Sequence, residues 1–290
     1  MYTAIFKKLT ALILAAAMFM CMAPFALSEE GSDDWMHILL LGTDVRDTSG
    51  YGRTDSMILL SVNTGTKEAK LTSFMRDLWV TIPGHEGKAK LNAACVYGGP
   101  SLVMKTISEH FGVDIDSYAL VNLSCMADII DILGGLRLDV TESERQALNK
   151  GLFDLSSRSG MEKLEKSGDN VLLNGNQAVA FSRIRAIDSD YHRTERQRTV
   201  LTAMAKRLQE ENGTTLLTVI PTLLKYVETN MDFTQLMSLA FVGLQMDMDA
   251  IEQFRIPADG TYESGTYNGT WMIKANLEKN ASLLKNFIYN

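Results

Sequence analysis

Short apolar runs, separated by Gly, Pro and Asn, predict β-strands along much of the chain. These runs lie at His37–Leu41, Ser56–Val62, Lys70–Phe74, Trp79–Ile82, Tyr118–Asn122, Leu136–Val140 and Gln253–Ile256. Helical periodicity and end signals predict helices at Pro100–Gly112, Met126–Leu133, Arg193–Leu208, Leu216–Val227 and Thr234–Leu244. Because strands and helices alternate, we expect an α/β fold, with three α/β/α layers around a central mixed sheet, in a single domain.

The N-terminal residues have a different pattern and are set apart from this domain. Lys7 and Lys8 precede an apolar run at Leu9–Met22. This layout is typical of a signal peptide or, if the run continues to Leu27, of an N-terminal membrane anchor. The polar stretch Thr141–Asn170 is interpreted as a surface insertion. We therefore divide the chain into a signal peptide or anchor, a linker and a folded domain, at residues 1–28, 29–34 and 35–290.

Composition and charge narrow the classes of function. Hydrophobic residues make up 46% and charged residues 22%, as in an ordinary globular protein, and the net charge of −7 argues against a nucleic-acid partner. The sequence has no GxSxG, HExxH or GxxxxGK[ST] motif. Cys95 and Cys125 lack zinc-site spacing, and we expect two buried thiols rather than a disulfide.

Two carboxylates and an arginine follow or precede the first predicted strands. Asp44 comes after the first strand and Asp55 begins the second, so both could meet at one end of the sheet. Together with substrate phosphates, two carboxylates suit Mg²⁺. In the alternative reading Asp44 caps a turn and Asp55 pairs with Arg53. Arg76 follows the third strand and could reach the same edge, or could form a surface ion pair with Asp77.

Arginines are concentrated in one short segment of this acidic chain. They are Arg183, Arg185, Arg193, Arg196 and Arg198. In a helix, Arg193 and Gln197 head the apolar stripe of Val200, Leu201, Met204 and Leu208, and would be carried into the protein. A buried guanidinium group needs an anionic partner. Asp188 and Asp190 could be that partner, but a pyrophosphate would also accept several guanidinium groups at once.

These clusters belong to longer motifs. In chain order they are LLLGTDVRD with GRTDSMILLSVN, LTSFMRDLWVTIPG with KLNAACVYGGP, LVNLSCMADIIDILGGLRLDV, and LNGNQAVAFSRIRAIDSDYHRTERQRTVL. From about Trp35 to about Leu208 the chain resembles the LytR–CpsA–Psr family. The resemblance implies an enzyme on the outer side of the bacterial cytoplasmic membrane, secreted or anchored by its N-terminal segment. Such an enzyme moves a glycopolymer phosphate, such as that of a teichoic acid or capsule, from a polyprenyl pyrophosphate lipid to peptidoglycan.

The resemblance also implies roles for particular residues. The expected metal ligands for Mg²⁺ are Asp44 and Asp55. The residues expected to bind the pyrophosphate are Arg53, Arg76, Arg183, Arg185, Arg193 and Gln197. The expected catalytic residues are Asp44, Arg76, Arg183, Arg185 and Asp190, with Asp44 or Asp190 as the proton acceptor. A hydrophobic pocket would hold the polyprenyl tail, and its candidate walls are Val103–Phe111 and Met126–Leu133.

The expected partners are a polyprenyl pyrophosphate-linked glycan, a peptidoglycan acceptor and the membrane surface. Two other functions would use the same residues. A pyrophosphatase would cleave the same lipid with water in place of the sugar hydroxyl. A non-enzymatic scaffold would bind the lipid while the carboxylates and arginines pair with one another.

Overall fold

A computed structural model describes residues 35–43, 51–152, 161–211 and 219–290. The expected signal peptide or anchor, the linker and Asp44 lie outside these residues. The chain from Trp35 to Asn290 forms one compact unit. Within the described ranges, every helix is too short or too polar to cross a membrane.

The described residues form the strands β1 Trp35–Thr43, β2 Thr54–Asn63, β3 Ala69–Phe74, β4 Trp79–Thr81, β5 Lys88–Lys90, β6 Ser117–Asn122, β7 Leu136–Val140, β8 Gly168–Leu173, β9 Glu228–Thr229, β10 Glu252–Ile256, β11 Tyr262–Tyr267 and β12 Thr270–Ala275. Six of these strands form the central sheet, in the order β10-β3-β2-β1-β6-β9. Strand β1 is parallel to β6 but antiparallel to β2, and β3 is parallel to β10. The expected mixed sheet is therefore confirmed.

Helices cover both faces of this sheet. They are α1 Ala93–Phe111, α2 Leu123–Ile132, α3 Glu142–Gly151, α4 Gly175–Ser182, α5 Asp190–Gln209, α6 Phe233–Gly243 and α7 Leu277–Tyr289. On one face, Leu39 and Leu59 share a buried core with Phe111 of α1 and Leu284 of α7. On the other face lie α2 and α5, against β6 and against β2 and β3. This arrangement confirms the three-layer α/β/α fold.

The predicted helix at Pro100–Gly112 is confirmed: α1 is broken at Gly98 and Gly99, whose backbone angles are not helical, so its second piece begins at Pro100, and Gly112 ends it in the left-handed region. Two other expectations about single elements need correction. Strand β7 pairs only with β8 and lies outside the central sheet. Of the segment Leu216–Val227, residues 219–223 are helical and Leu224–Tyr226 forms a 3₁₀ turn, and the first three residues lie outside the described ranges.

The stretch Thr141–Asn170 is wrongly interpreted as a surface insertion. It contains α3, which begins with a capping box between Thr141 and Glu144. Leu148, Leu152 and Leu164 are buried in a second core with residues of α4 and β7. Most polar side chains of α3 lie on its outer side, whereas Leu148 packs its inner side against the domain.

Helices α2 and α4 approach so closely that only glycine fits at position 175. A Cβ atom there would lie 2.0 Å from the carbonyl oxygen of Ala127. We expect Gly175→Ala to lower the free energy of unfolding by about 2–3 kcal/mol, because overpacking must push the two helices apart. Urea denaturation measures this loss. The control is Gly243→Ala, since a Cβ at Gly243 meets nothing within 4 Å; an equal loss in both variants would contradict the close-approach argument.

Candidate functional site

Two strand ends and two helix ends place charged side chains at one edge of the sheet. The end of β1 faces the start of β2, with Thr43 opposite Thr54 after a shift in register at Gly42, so Arg53 and Asp55 lie at this edge. Arg76 follows the end of β3, which is antiparallel to β2 and runs to the same edge. The end of α4 and the start of α5 add the arginine-rich segment.

The carboxylate of Asp55 pairs with Arg76 rather than with its neighbour Arg53. Arg76 and Asp55 form a hydrogen-bonded ion pair, with side chains 21% and 25% exposed. The Nε atom of Arg76 also lies 3.5 Å from Asp77, whose other oxygen accepts a 2.6 Å hydrogen bond from Lys90. The alternative pairing of Asp55 with Arg53 is therefore wrong. The alternative surface ion pair of Arg76 with Asp77 is also incomplete, because the main partner of Arg76 is Asp55.

Arg193 connects the start of α5 to the start of β2. Its guanidinium group, 3% exposed, donates to Asp190 Oδ2 at 2.9 Å and to the backbone carbonyl oxygen of Asp55 at 3.1 Å. The other oxygen of Asp190 lies 2.8 Å from Arg193 Nε and 3.2 Å from Arg185 Nε. Asp190 therefore holds both arginines in place.

The helical stripe expected from the sequence lines a cavity of about 990 Å³. The residues of α5 that line it are Arg193, Gln197, Val200, Leu201, Met204 and Leu208. Because this helix begins at the charged edge, its polar residues face one end of the cavity and its apolar residues face the other. The buried position expected for Arg193 is confirmed.

The cavity combines a basic end with a long apolar part. Among the described residues that line it, seven are basic and two acidic: Arg53, Arg76, Lys90, Lys150, Arg183, Arg185 and Arg193 against Asp55 and Asp77. The apolar lining includes Ala119, Val121, Met126, Ile129, Val179, Leu223 and Val227. Such a cavity suits a ligand with an anionic head and an apolar tail.

Helix α2 is a wall of this cavity, as expected for Met126–Leu133, because Met126 and Ile129 line it. The other candidate wall, Val103–Phe111, is wrong. Val103, Ile107 and Phe111 are buried in the core on the opposite face of the sheet. Periodicity identified a buried stripe in both helices but did not show which side of the sheet each one covers.

Burial and neighbouring charges perturb the arginines at the basic end. Burial alone would lower the pKa of Arg76, but Asp55, Asp190 and Asp77 raise it above its usual value. Burial lowers the pKa of Arg193, Asp190 opposes that effect, and the nearby guanidinium groups of Arg185 and Arg76 lower it further. The arginines thus repel one another, and an anion bound among them would relieve this repulsion.

The five clustered arginines divide into two groups. Arg196 pairs with Asp188 and with Glu144 of α3, 2.9 Å away, and Arg198 donates to Ser73 and Gln253 at 2.7 Å each. Both serve to hold α5 against other elements. In contrast, Arg183, Arg185 and Arg193 line the cavity. Within the described part of the chain, the guanidinium group of Arg183 has neither a hydrogen-bond nor an ion-pair partner.

Three further polar residues line the basic end of the cavity. Two of them, Lys90 and Asn92, come a short loop after Arg76 in the sequence. The buried Oδ1 atom of Asn92 has no hydrogen-bond partner. No role was predicted for Lys150, because it lies in the stretch interpreted as an insertion. Its position in the last turn of α3 becomes significant only once that helix is packed beside the cavity. Cys95 and Cys125 are both thiols, as expected; Cys95 is buried, but Cys125 is only half-buried, which corrects the expectation of two buried thiols.

Comparisons with known proteins agree in sequence and in structure. The LytR_cpsA_psr family model matches residues 19–286. Polyisoprenyl-teichoic acid–peptidoglycan teichoic acid transferase TagU of Oceanobacillus iheyensis is 33% identical over 249 residues, covering 82% of this chain and 70% of that protein. The matched segment spans only 58% and 54% of the length of two other relatives.

Two solved structures of TagT share the fold. TagT bound to LIIa-WTA is 26% identical with a TM-score of 0.71, covering 88% of this chain and 91% of that one. The LytR-CPS2A-psr family protein YwtF (TagT) with bound octaprenyl pyrophosphate lipid is 25% identical with a TM-score of 0.66, covering 88% of this chain and 90% of that one.

Proposed function

Because this chain belongs to the LytR–CpsA–Psr family, as the resemblance predicted, we propose that it transfers a glycopolymer phosphate from a polyprenyl pyrophosphate carrier to peptidoglycan. One observation carries the proposal: a single cavity joins an arginine-rich end to a long apolar part. The arginine-rich end suits a pyrophosphate, and the apolar part suits a polyprenyl chain. The reaction belongs to cell-wall assembly outside the cytoplasmic membrane, and we propose that the N-terminal segment exports or anchors the enzyme there.

In the proposed reaction a hydroxyl oxygen of a peptidoglycan sugar attacks the phosphorus atom next to the glycan. The bond from that phosphorus to the bridging oxygen breaks, and polyprenyl phosphate leaves. Arg76, Arg183, Arg185 and Arg193 stabilise the charge that spreads over the phosphate oxygens, with Arg53 and Gln197 as further contacts. Asp190 positions Arg185 and Arg193, since both of its oxygens contact guanidinium groups. We assign the hydroxyl proton to Asp44.

The oxygen atoms at the basic end fit a magnesium ion. Asp55, which is paired with Arg76, lines the cavity, and so does Asn92, whose buried Oδ1 atom has no hydrogen-bond partner. Mg²⁺ is commonly held by one or two carboxylates together with substrate phosphates. We propose that Asp55 and Asp44 hold it. When bound, the ion would neutralise part of the phosphate charge.

Removing the metal tests this part of the proposal. We expect a chelator to lower the transfer rate about a hundredfold, because a bound divalent ion contributes several kcal/mol to such reactions. Added MgCl₂ should restore the rate, and Asp55→Asn should raise the Mg²⁺ concentration that half-restores it. An unchanged rate in chelator would show that the arginines act without a metal.

Product analysis tests the function itself. The purified protein is incubated with a polyprenyl pyrophosphate-linked glycan, with and without peptidoglycan. Transfer yields polyprenyl phosphate and peptidoglycan carrying the glycan phosphate, both dependent on the acceptor. Release of polyprenyl phosphate at the same rate without peptidoglycan would instead identify a pyrophosphatase. Tight binding without either product would identify a lipid-binding scaffold.

A further inference from the structure

A row of large apolar side chains faces solvent along helix α6. The helix has no buried residue, and no charged residue occurs from Phe233 to Leu244. Phe233 and Phe241 are each 60% exposed and Leu244 is 40% exposed. At 100° per residue these three residues and the half-buried Met237 fall on one side of the helix. We call these four residues the apolar stripe.

The opposite side of α6 already packs against the domain. Leu239 and Val242 contact a small core that contains Val62, Ala69 and Met246. A surface helix of a soluble domain normally turns polar residues outward once its apolar side is covered. Single exposed apolar residues are ordinary, but a contiguous row marks a surface that meets another apolar phase or partner.

The apolar stripe lies beside the apolar end of the cavity. Helix α5 runs from Arg193, at the basic end, to Gln209, whose side-chain amide donates to the carbonyl oxygens of Gly243 at 2.7 Å and Met246 at 2.9 Å. Leu208, just before Gln209, lines the cavity. The end of α6 is therefore fixed where the cavity is farthest from its arginines.

The end of the sheet opposite the charged edge receives the chain from the N-terminal segment. Strand β1 begins at Trp35, and the next residue, Met36, lies opposite Val62, which in turn lies opposite Ala69. Val62 and Ala69 belong to the core that holds α6. The residues preceding Trp35 include the apolar run Leu9–Met22. The chain therefore enters strand β1 at the end of the sheet where this core holds α6.

We propose that the apolar stripe lies in the interfacial region of a lipid bilayer. In this orientation the apolar end of the cavity faces the bilayer and the arginine-rich end faces away from it. The orientation rests on the proposed function, because a polyprenyl tail would then pass from the bilayer into the cavity without crossing water. Helices that lie in a bilayer interface bury apolar side chains among the lipid chains in this way.

The contact is apolar rather than electrostatic. Asp232 and Asp247 flank α6 and are exposed, whereas Asp249 is paired with Lys206. The carboxylates of Asp232 and Asp247 would be repelled by anionic lipids, so we expect tighter contact with phosphatidylcholine vesicles than with vesicles rich in phosphatidylglycerol. A basic membrane-binding surface would show the opposite preference.

Fluorescence quenching tests the contact in the full chain. Phe241→Trp is compared with Tyr97→Trp on phosphatidylcholine vesicles that carry nitroxide-labelled acyl chains, after the emission of the unaltered protein is subtracted. Tyr97 is 48% exposed and follows Asn92 at the basic end of the cavity. We expect strong quenching and a blue shift of the added emission for Phe241→Trp and neither for Tyr97→Trp. Equal quenching in the two variants would overturn the proposal.

A second copy of the chain is the rival occupant of the apolar stripe. If it covers the stripe, the emission of Phe241→Trp shifts to the blue as protein concentration rises without vesicles, and lipid quenching is lost. That result would also overturn bilayer contact. We expect instead an emission spectrum that is independent of protein concentration in the absence of lipid.

Kinetics separate this inference from the proposed function. Phe241→Ser should slow transfer from a long-chain donor embedded in vesicles several-fold and leave transfer from a soluble short-chain donor unchanged. An equal loss with both donors would show a structural role for Phe241 and would count against bilayer contact. If the unaltered protein transfers from neither donor, the proposed function fails, whereas the quenching experiment still decides whether the stripe meets lipid.

Discussion

Arg183→Ala is expected to slow glycan transfer at least about a hundredfold while leaving the fold intact. The guanidinium group lines the basic end of the cavity and, within the described residues, supports no ion pair whose loss would destabilise the protein. Donors aimed at the charge that develops in a transition state commonly contribute a factor of this size or more. Initial rates of polyprenyl phosphate release in the presence of peptidoglycan measure the effect.

The matched control is Arg137→Ala. Arg137 is exposed on β7, where it donates to the carbonyl oxygen of Asn170, and it does not line the cavity. We expect this variant to retain the full rate, because it removes the same charge from the protein without removing it from the site. Undiminished transfer by Arg183→Ala, with the pyrophosphate still bound as tightly, would refute the placement of the phosphate among these arginines.

Arg193→Met is expected to lower the free energy of unfolding by about 3–5 kcal/mol, the range for removing one partner of a buried ion pair. Arg193 is 2% exposed and ties α5 both to Asp190 and to the backbone of Asp55. Methionine fills much of the same space, so the loss reflects the missing charge and hydrogen bonds rather than a cavity. Urea denaturation measures it.

A double-mutant cycle with Asp190→Asn serves as the control for this effect. If Arg193 and Asp190 stabilise each other, the two single losses should sum to more than the loss in the double variant. Arg185→Met is the exposed counterpart, since its side chain is 43% exposed and its contact with Asp190 is longer, at 3.2 Å. A loss in Arg185→Met as large as that in Arg193→Met would contradict the central role of the buried arginine.

Local patterns were enough to predict much of the site because they decide which side of an element is buried. The spacing from Arg193 to Leu208 predicted that an arginine and a glutamine would head an apolar stripe, and both line the cavity. Apolar runs likewise identified the strands that bring Asp55 and Arg76 to one edge. A helix or strand has one periodicity whatever it packs against, so these features can be predicted without knowledge of the fold.

The sequence did not predict which charged residues pair with one another. Asp55 has Arg53 two residues away, yet it pairs with Arg76 on the next strand. Arg196 lies near Asp188 in the chain but also contacts Glu144, in a stretch that composition alone indicated was a surface insertion. Charge pairs form between groups that the fold brings within a few ångströms, and separation along the chain does not measure that distance.

The amino-acid sequence by itself determined the α/β class, most strands of the central sheet and the buried arginine of α5, because alternation and periodicity within single elements carry this information. It did not predict the short strands β5 and β9, the hairpin of β11 and β12, or helices α3, α4 and α7. Only the tertiary structure decided that Val103–Phe111 packs in the opposite core, that Lys150 joins the basic end, and that the outer side of α6 remains apolar and uncovered. Periodicity specifies that a face is buried or apolar, whereas the surface that meets it depends on how distant elements are packed together.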